Sequence, residues 1–236
     1  MKLKARAGGI DGQNTHSSLY GRRPQSGTQA VDAQSEYIEY NNRSAIGIFG
    51  GFSSNKEATS LDLGFGFSIL GRADITLGYS GVSLKEKLFG EEVSASVIQF
   101  GGSLFPVKQS STIPVSLALH GGIAFAAYES DALDYLGWEM TGTAAGFGVS
   151  LYHRLNLTPS FSLQPSLSLS YARSTVTVED SYGNSVEEKD TATSVGFGLS
   201  FLIKTASRST LVLHPALSFD EDVTTFGISL GFVGEF

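Results

Sequence analysis

Two histidines and one glutamine, which recur in similar tripeptides, are the side chains of this chain that could form a polar or metal-binding site. His120 and His214 lie in the tripeptides LHG and LHP, and Gln164 takes the same place in LQP. Such side chains could form a hydrogen-bonded ring, a constriction that receives another segment, or a metal site. A metal site is the least favoured, because zinc requires imidazole nitrogens at about 2.0–2.1 Å. We predict no metal ligand. His120, Gln164 and His214 are instead candidates for a constriction of the interior space, or lumen, of the fold.

A glycine-rich pentapeptide recurs along the chain and raises the question of phosphate binding. GFGLS begins at Gly196, GFGVS at Gly146 and GFGFS at Gly64. A phosphate-binding loop places its glycines between a strand and the first turn of a helix. Here each copy continues an alternation of large apolar and small residues, which is typical of a strand. We therefore predict that the glycines permit strand coiling and close approach across a narrow interior, and that no nucleotide binds.

Composition excludes several classes of function. The 236-residue chain contains no cysteine, so neither disulfides nor thiolate chemistry can operate. Its formal charge of −7 argues against nucleic-acid binding, which requires a basic surface. No run approaches the ~20 apolar residues of a transmembrane helix. A transmembrane β-barrel remains compatible with the composition, because alternation along its strands dilutes the hydrophobic signal.

No catalytic constellation is apparent in the sequence. His16 lies near the N-terminus and His153 near a predicted turn, whereas the acidic segments contain no histidine. A histidine–aspartate pair that activates water therefore cannot form in those segments. Residues 179–190, EDSYGNSVEEKD, carry carboxylates that would suit calcium. They lack the residue order of an EF-hand, and we interpret them as a solvated loop. We predict no catalytic residue, no cofactor and no enzymatic activity.

The chain divides into two parts by composition. Residues 1–36 are rich in Gly, Ser, Gln and Arg and show no apolar period, which predicts a flexible or partner-binding extension. A plug or docking segment is the alternative role for this extension. Residues 37–236 form the second part, in which apolar residues alternate with small or polar ones from about residue 43 onwards.

The alternation predicts ten strands, with eight as the alternative. Most runs reach the ~9–11 residues that a tilted strand needs to cross a bilayer. In the run Val93–Leu104 the apolar parity changes near Val97-Ile98, which predicts a β-bulge. The face opposite the large apolar residues carries small ones, for example Ser166 and Ser168. A small, mildly polar interior and a large apolar exterior predict an all-β fold, an antiparallel up-and-down transmembrane β-barrel.

The connections between the strands alternate in character, as the two ends of such a barrel require. One set is short or basic and includes Arg72 and residues 204–208. The other set is acidic and includes residues 85–92, 129–139 and 179–190. An even number of strands places both chain ends on the side of the short connections.

Aromatic and acidic residues at particular heights complete the predicted barrel. Asp62 and Asp74 fall on the inward face, where they could meet Arg22 and Arg23 of the extension. We expect two aromatic girdles at the membrane interfaces. The first contains Tyr79, Tyr171 and Phe219, and the second contains Phe161, Phe201 and Phe236.

The chain resembles the small outer-membrane β-barrel proteins of Gram-negative bacteria. The resemblance covers about residues 43–236 and is carried by the period-two strands and the terminal FGISLGFVGEF. In that family such a last strand, closing on an aromatic residue, looks like the signal read by the barrel-assembly machinery. The corresponding residues are Phe226, Ile228, Leu230, Phe232 and Phe236. The resemblance implies a bacterial outer-membrane location with periplasmic termini, and lipid and lipopolysaccharide as partners.

The expected function is structural or accessory, as an integral barrel within an envelope assembly. Ten strands around a glycine- and serine-rich interior leave little room for solute. Residues 1–36 would supply a segment that binds a protein partner. Two alternatives stay open: a narrow pore for ions or small solutes, and a surface adhesin or ligand-binding barrel that uses the acidic loops.

Overall fold

The computed structural model describes residues 43–220 and 223–236, which contain eleven β-strands and one short helix. The first of these strands begins at Ala45. The predicted extension of residues 1–36 lies outside the described residues. The strands are β1 (Ala45–Ser54), β2 (Ala58–Ile69), β3 (Ala73–Leu88), β4 (Glu91–Val107), β5 (Ser116–Glu129), β6 (Glu139–Tyr152), β7 (Leu155–Thr158), β8 (Phe161–Glu179), β9 (Ser185–Ala206), β10 (Ser209–Asp220) and β11 (Val223–Glu235).

The strands close into an antiparallel barrel. Each long strand pairs with its neighbour in the sequence, β1 pairs with β11, and β6 pairs with β8. The four-residue β7 pairs with the first residues of β8 and continues the wall where β6 ends. Ten long strands therefore form one ring, and the prediction of a ten-stranded up-and-down barrel is confirmed.

The stagger of the strands can be followed through the pairing register. A line of paired residues leaves β8 at Gln164, crosses β9 to β11 and β1 to β6, and returns to β8 at Val176. This offset of twelve residues between start and return tilts the strands by roughly 40°. A tilt of this size is normal for a closed barrel and leaves a narrow interior.

Two faces alternate along every strand. Large apolar side chains point outward, and the exposed fraction of Leu61, for example, is 68%. The outward residues of β8 become polar at Arg173 and Thr175, which marks one edge of the apolar belt. Other outward residues of the belt include Ile48, Leu63, Ile75, Ile98, Phe100, Ile123, Phe125, Phe147, Leu169, Phe197, Leu230 and Phe232.

The bulge predicted near Val97-Ile98 is wrong. Residues Val93, Ala95 and Val97 are buried on the inward face of β4, and Ile98 and Phe100 are exposed on the outward face. The register between β3 and β4 runs without a shift through this region. Apolar residues occupy the inward face in the first half of β4 and the outward face in the second half. In the sequence this looks like a shift of the alternation by one residue, which a bulge would also produce.

The connections gather at two ends of the barrel. Among the described residues, the loop end carries residues 55–57, 89–90, 130–138 and 180–184. Within residues 130–138 lies the helix α1 (Asp131–Leu136), which begins after the N-cap Ser130 and ends at Gly137 in the left-handed conformation with φ 64°.

The opposite end, here called the terminal end, carries both ends of the barrel wall. Phe236 N–H donates a hydrogen bond to the Ser44 carbonyl at 3.0 Å. The connections 70–72, 108–115, 153–154, 159–160 and 207–208 lie at the same end. The interleaving of acidic and basic connections predicted from the sequence is therefore confirmed for the described residues.

Aromatic side chains meet on the outer surface near both ends. At the terminal end the rings of Phe161 and Phe201 stack with centroids 6.5 Å apart, and Phe67 lies 6.1 Å from Phe236. Towards the loop end, Phe147 lies 5.6 Å from Tyr171 and Phe197 lies 6.0 Å from Phe219. Tyr79 is exposed on the same outward face. These positions agree with the two predicted girdles.

The loop between β8 and β9 is held by one carboxylate. Asp180 accepts hydrogen bonds from the backbone N–H groups of Tyr182 and Asn184, each at 2.9 Å, and from the Asn184 side-chain amide at 2.9 Å. The hydrogen bond from the Asn184 side chain is the main cause that lowers the pKa of Asp180 below its usual value of 3.8. The ionised carboxylate therefore holds this turn together.

An inward aromatic residue crosses the barrel seam. Phe49 of β1 is buried, and a Cβ added at Gly231 of β11 would overlap its ring. We expect Gly231→Ala to lower the free energy of unfolding by about 1–3 kcal/mol, because the ring has to move within a packed seam. Urea-induced unfolding from lipid vesicles measures this loss.

Gly234→Ala is the matched control for this substitution, because a Cβ added there meets nothing within 4 Å. Its effect should stay below about 1 kcal/mol. Phe49→Leu combined with Gly231→Ala should recover part of the lost stability. Equal stability of the two single glycine variants would contradict the assigned packing.

The Asp180 turn should respond to acid. A carboxylate whose pKa is lower in the folded loop stabilises the loop above the unfolded pKa of 3.8, and the stabilisation is lost as pH falls through the lower folded value. NMR shifts of the Tyr182 and Asn184 amide protons should therefore titrate with a midpoint below 3.8. Asp180→Asn should abolish this transition, and a midpoint above 3.8 would contradict the assigned hydrogen bonds.

Candidate functional site: the barrel lumen

A cavity of about 180 Å³ occupies the middle of the lumen. Its walls come from β4, β5, β6 and β8 to β11 and consist mainly of glycine, alanine and serine. The cavity exists because the inward positions at this height carry almost no side-chain volume. Both His120 and His214 contribute to its wall, as do Gln99, Ser168 and Ser194.

His214 lies against the GFGLS segment of the neighbouring strand. Its Nδ1 is hydrogen-bonded to Ser200 Oγ at 2.8 Å. A Cβ at Gly198 would lie 2.5 Å from the His214 ring and 2.5 Å from Ser166 Oγ. Gly198 therefore leaves the space that the imidazole occupies, and Ser200 fixes its orientation. This serine–histidine hydrogen bond was not predicted from the sequence.

His120 has the same kind of environment on the other side of the cavity. Its Nδ1 lies 3.4 Å from Ser150 Oγ and its Nε2 lies 3.3 Å from Ser170 Oγ. A Cβ at Gly148 would overlap the imidazole ring. Gly148 and Ser150 belong to GFGVS, so two copies of the glycine motif each accommodate one inward histidine. The glycines thus serve close packing in strands, as predicted.

The third copy of the glycine motif differs. In GFGFS on β2, Gly66 pairs with Thr76 and Ser68 pairs with Asp74 of β3. The space next to this copy is therefore lined by a hydroxyl and a carboxylate instead of an imidazole. Thr76 and Asp74 are both buried.

The structure brings two of the three candidate constriction residues to one cavity. Gln164 of β8 is fully buried and pairs with Ser200 of β9. His214 contacts the same serine from β10, the strand on the other side of β9. Gln164 does not line the cavity. His120, Gln164 and His214 all face inward, but the role of a constriction stays a prediction.

A second region of the lumen, here called the polar wall, consists of the inward residues Asp62, Ser68, Asp74, Thr76 and Ser80. All five belong to β2 or β3 and have exposed fractions of 4% or less. Asp62 Oδ2 accepts a hydrogen bond from Ser60 Oγ at 3.0 Å. Asp62 and Asp74 therefore face inward, as predicted.

An apolar group, here called the loop-end cluster, lies in the lumen next to α1. Leu133 of the helix belongs to it, and Trp138 packs against it. The cluster joins inward residues of β2 to β6 and β8. Its buried members are Ala58, Val82, Leu88, Val93, Ala95, Val97, Ala126, Tyr128, Leu133, Met140, Val176 and Val178.

Two smaller apolar clusters lie inside the terminal end. Phe105, Ala118 and Tyr152 form one of them. Phe49 belongs to the other, together with Ala45, Leu202, Val212 and Val233. The sequence pattern did not predict these inward aromatic residues. Phe49 could have been recognised, because it falls between the outward positions of Ile46, Ile48 and Phe52.

The last strand presents the residues of the expected assembly signal on its outer face. Phe226, Ile228, Leu230, Phe232 and Phe236 are all exposed. β11 pairs with β1 from Phe226 to Glu235 and so closes the barrel. The recognition of these residues by an assembly machinery stays a prediction.

Neither metal ligation nor a helical membrane span is found among the described residues. No group of three or more His, Asp or Glu side chains there is placed to hold a metal ion. The one helix of this part, α1, has six residues and is too short to cross a membrane.

Comparison with solved structures identifies the fold. The translocator domain of autotransporter NalP from Neisseria meningitidis matches with a TM-score of 0.57 and 11% identity, over 87% of this chain and 95% of that one. The β domain of the Bordetella autotransporter BrkA matches with a TM-score of 0.53 and 11% identity, over 82% of this chain and 99% of that one. No family model and no curated protein matches the sequence. The chain has the fold of an outer-membrane β-barrel.

Proposed function

We propose that the protein is an integral outer-membrane β-barrel with a structural or accessory role in an envelope assembly. In this proposal it neither conducts solute nor catalyses a reaction. The observation that carries the proposal is the apolar filling of the lumen at both ends, with only a small cavity between them.

The outer surface supports insertion into a bilayer. Large side chains such as Ile48, Leu63 and Ile75 are more than 60% exposed, which in water would be unfavourable over so wide a surface. A lipid environment removes this cost, because hydrocarbon solvates the apolar belt. The acidic loop end would face the cell exterior and the terminal end the periplasm.

The lumen supports a closed barrel over a pore. Ions need a continuous polar path, but Val97, Tyr128 and Met140 belong to the loop-end cluster, which lines the lumen with apolar surface on β2 to β6 and β8. Hydrophobic constrictions of this kind exclude water and so block ions. The cavity between the clusters has no described charged residue in its wall.

The inward histidines support a packing role over catalysis. Each imidazole is hydrogen-bonded to serine and lies in a space left by a glycine. His153, the third described histidine, lies at the terminal end and contacts the Pro114 carbonyl through Nδ1. The hydrogen bonds described for these imidazoles go to hydroxyl and carbonyl oxygens, whereas a general base is oriented by a carboxylate.

A surface-binding role is the second candidate, and three aromatic loop residues favour it. Phe89, Tyr135 and Tyr182 are 74%, 91% and 89% exposed at the loop end. Phe89 also has a left-handed backbone with φ 53°, a conformation that costs roughly 1 kcal/mol for a residue with a side chain. Aromatic residues held in exposed loops supply contact area at low entropic cost.

Conductance in a planar bilayer tests the closed barrel. We expect no steady current from the intact, verifiably inserted protein. Val97→Ser combined with Met140→Ser should produce transient current, because hydroxyl groups let water enter the loop-end cluster. Leu169→Ala on the outer face is the control and should stay silent. Steady current through the unmodified protein would favour a pore and make His120, Gln164 and His214 candidate gate residues.

Substitution of the loop aromatics tests the second candidate. Bacteria that display the protein should adhere to a surface coated with serum proteins if the loops bind a ligand. Replacement of Phe89, Tyr135 and Tyr182 by serine should then lower adhesion by about tenfold, since exposed aromatic anchors dominate such contacts. Adhesion equal to that of cells without the protein would exclude this role and leave the structural one.

A further inference from the structure

We propose that the polar wall of the lumen binds the basic N-terminal segment of the same chain, residues 1–30, through contacts between arginine side chains and Asp62. The ligand chemistry is that of a guanidinium group, which donates several hydrogen bonds and carries a positive charge. The inference goes beyond the proposed structural role and does not depend on it.

The polar wall offers hydrogen-bonding groups that the described residues do not satisfy. Ser68 Oγ on β2 and Thr76 Oγ1 on β3 are buried and have no hydrogen-bond partner among residues 43–220 and 223–236. A buried polar group without a partner costs about 1–3 kcal/mol. Two such groups on neighbouring strands indicate that something else contacts this wall.

The charge of the lumen indicates that the occupant is cationic. Asp62 is buried at an inward position of β2, and no described Lys or Arg is buried. A buried carboxylate is stable only when a positive charge or a set of donors lies close to it.

A small recess beside Asp62 gives the site a defined position. Asp62, Ser53, Ser229 and His214 surround a cavity of about 10 Å³. The Ser229 hydroxyl also has no hydrogen-bond partner among the described residues. The recess is too small for an organic ligand, so a side chain that contacts Asp62 has to approach from the lumen.

Residues 1–30 have the charge that the wall requires. They contain Lys2, Lys4, Arg6, Arg22 and Arg23 against the single acid Asp11. The rest of the chain has an excess of acidic residues, because the whole protein carries a formal charge of −7. Residues 1–30 therefore carry a net positive charge, whereas the rest of the chain carries a net negative charge.

The geometry allows the segment to reach the wall. The described chain starts at Arg43, at the terminal end, where Arg43 pairs with Glu235 at 3.8 Å. Asp74 lies next to the 70–72 turn at the same end, and Ser80 lies about 20 Å further along β3. The chain between Arg23 and Arg43 can span up to about 70 Å when extended.

Trypsin cleavage of the intact, refolded protein tests the proposal. Trypsin cuts after Arg22 but not after Arg23, because Pro24 follows. We expect cleavage of the Arg22–Arg23 bond, followed by mass spectrometry, to be at least about tenfold slower than in a synthetic peptide of residues 12–32, because a bound segment is cut only when it detaches. Asp62→Asn should restore most of the rate, and the exposed Asp134→Asn is the matched control that should leave it unchanged.

Arg23→Gln keeps the test decisive if Asp62→Asn fails to fold. It leaves the barrel unchanged and the bond after Arg22 cleavable, and it should also accelerate cleavage of that bond. Cleavage of the unmodified protein as fast as the peptide would overturn the proposal. Protection that neither Asp62→Asn nor Arg23→Gln reduces would also overturn it, because the segment would then be held elsewhere.

Discussion

A closed ring of backbone hydrogen bonds underlies every other feature of this barrel. In hydrocarbon no water can satisfy a free strand edge, so each backbone N–H and C=O needs a partner on the next strand. The pairing of β11 with β1 and of β6 with β8 removes the edges that an open sheet would expose. Closure also fixes which side chains point inward, because the pleat alternates them along every strand.

The narrow ring determines what the interior can contain. With a twelve-residue stagger the ten strands leave space for one layer of side chains, so a large inward residue needs a small one opposite. Phe49 lies over Gly231, His120 next to Gly148 and His214 next to Gly198. The recurrent glycines are therefore the counterparts of three inward rings.

The interior is divided by polarity along its length. Apolar clusters lie at both ends, a small cavity with two histidines lies between them, and the polar wall follows β2 and β3 from the terminal end inward. This order is unlike a water-filled pore, in which the polar lining is continuous. It concentrates the buried acids on strands β2, β3 and β10, where an occupant of the lumen would meet them.

The sequence alone predicts the ten strands, the outward apolar belt, the two kinds of connection and the inward position of Asp62, Asp74, His120, Gln164 and His214. These follow from a period of two, which is a local property of each strand. The contacts between inward residues depend on the register between strands, which the closed ring sets and no local pattern contains. The tertiary structure placed Ser200 beside His214, separated Gln164 from the cavity, and moved Val93, Ala95 and Val97 into the loop-end cluster, where a local pattern had predicted a bulge.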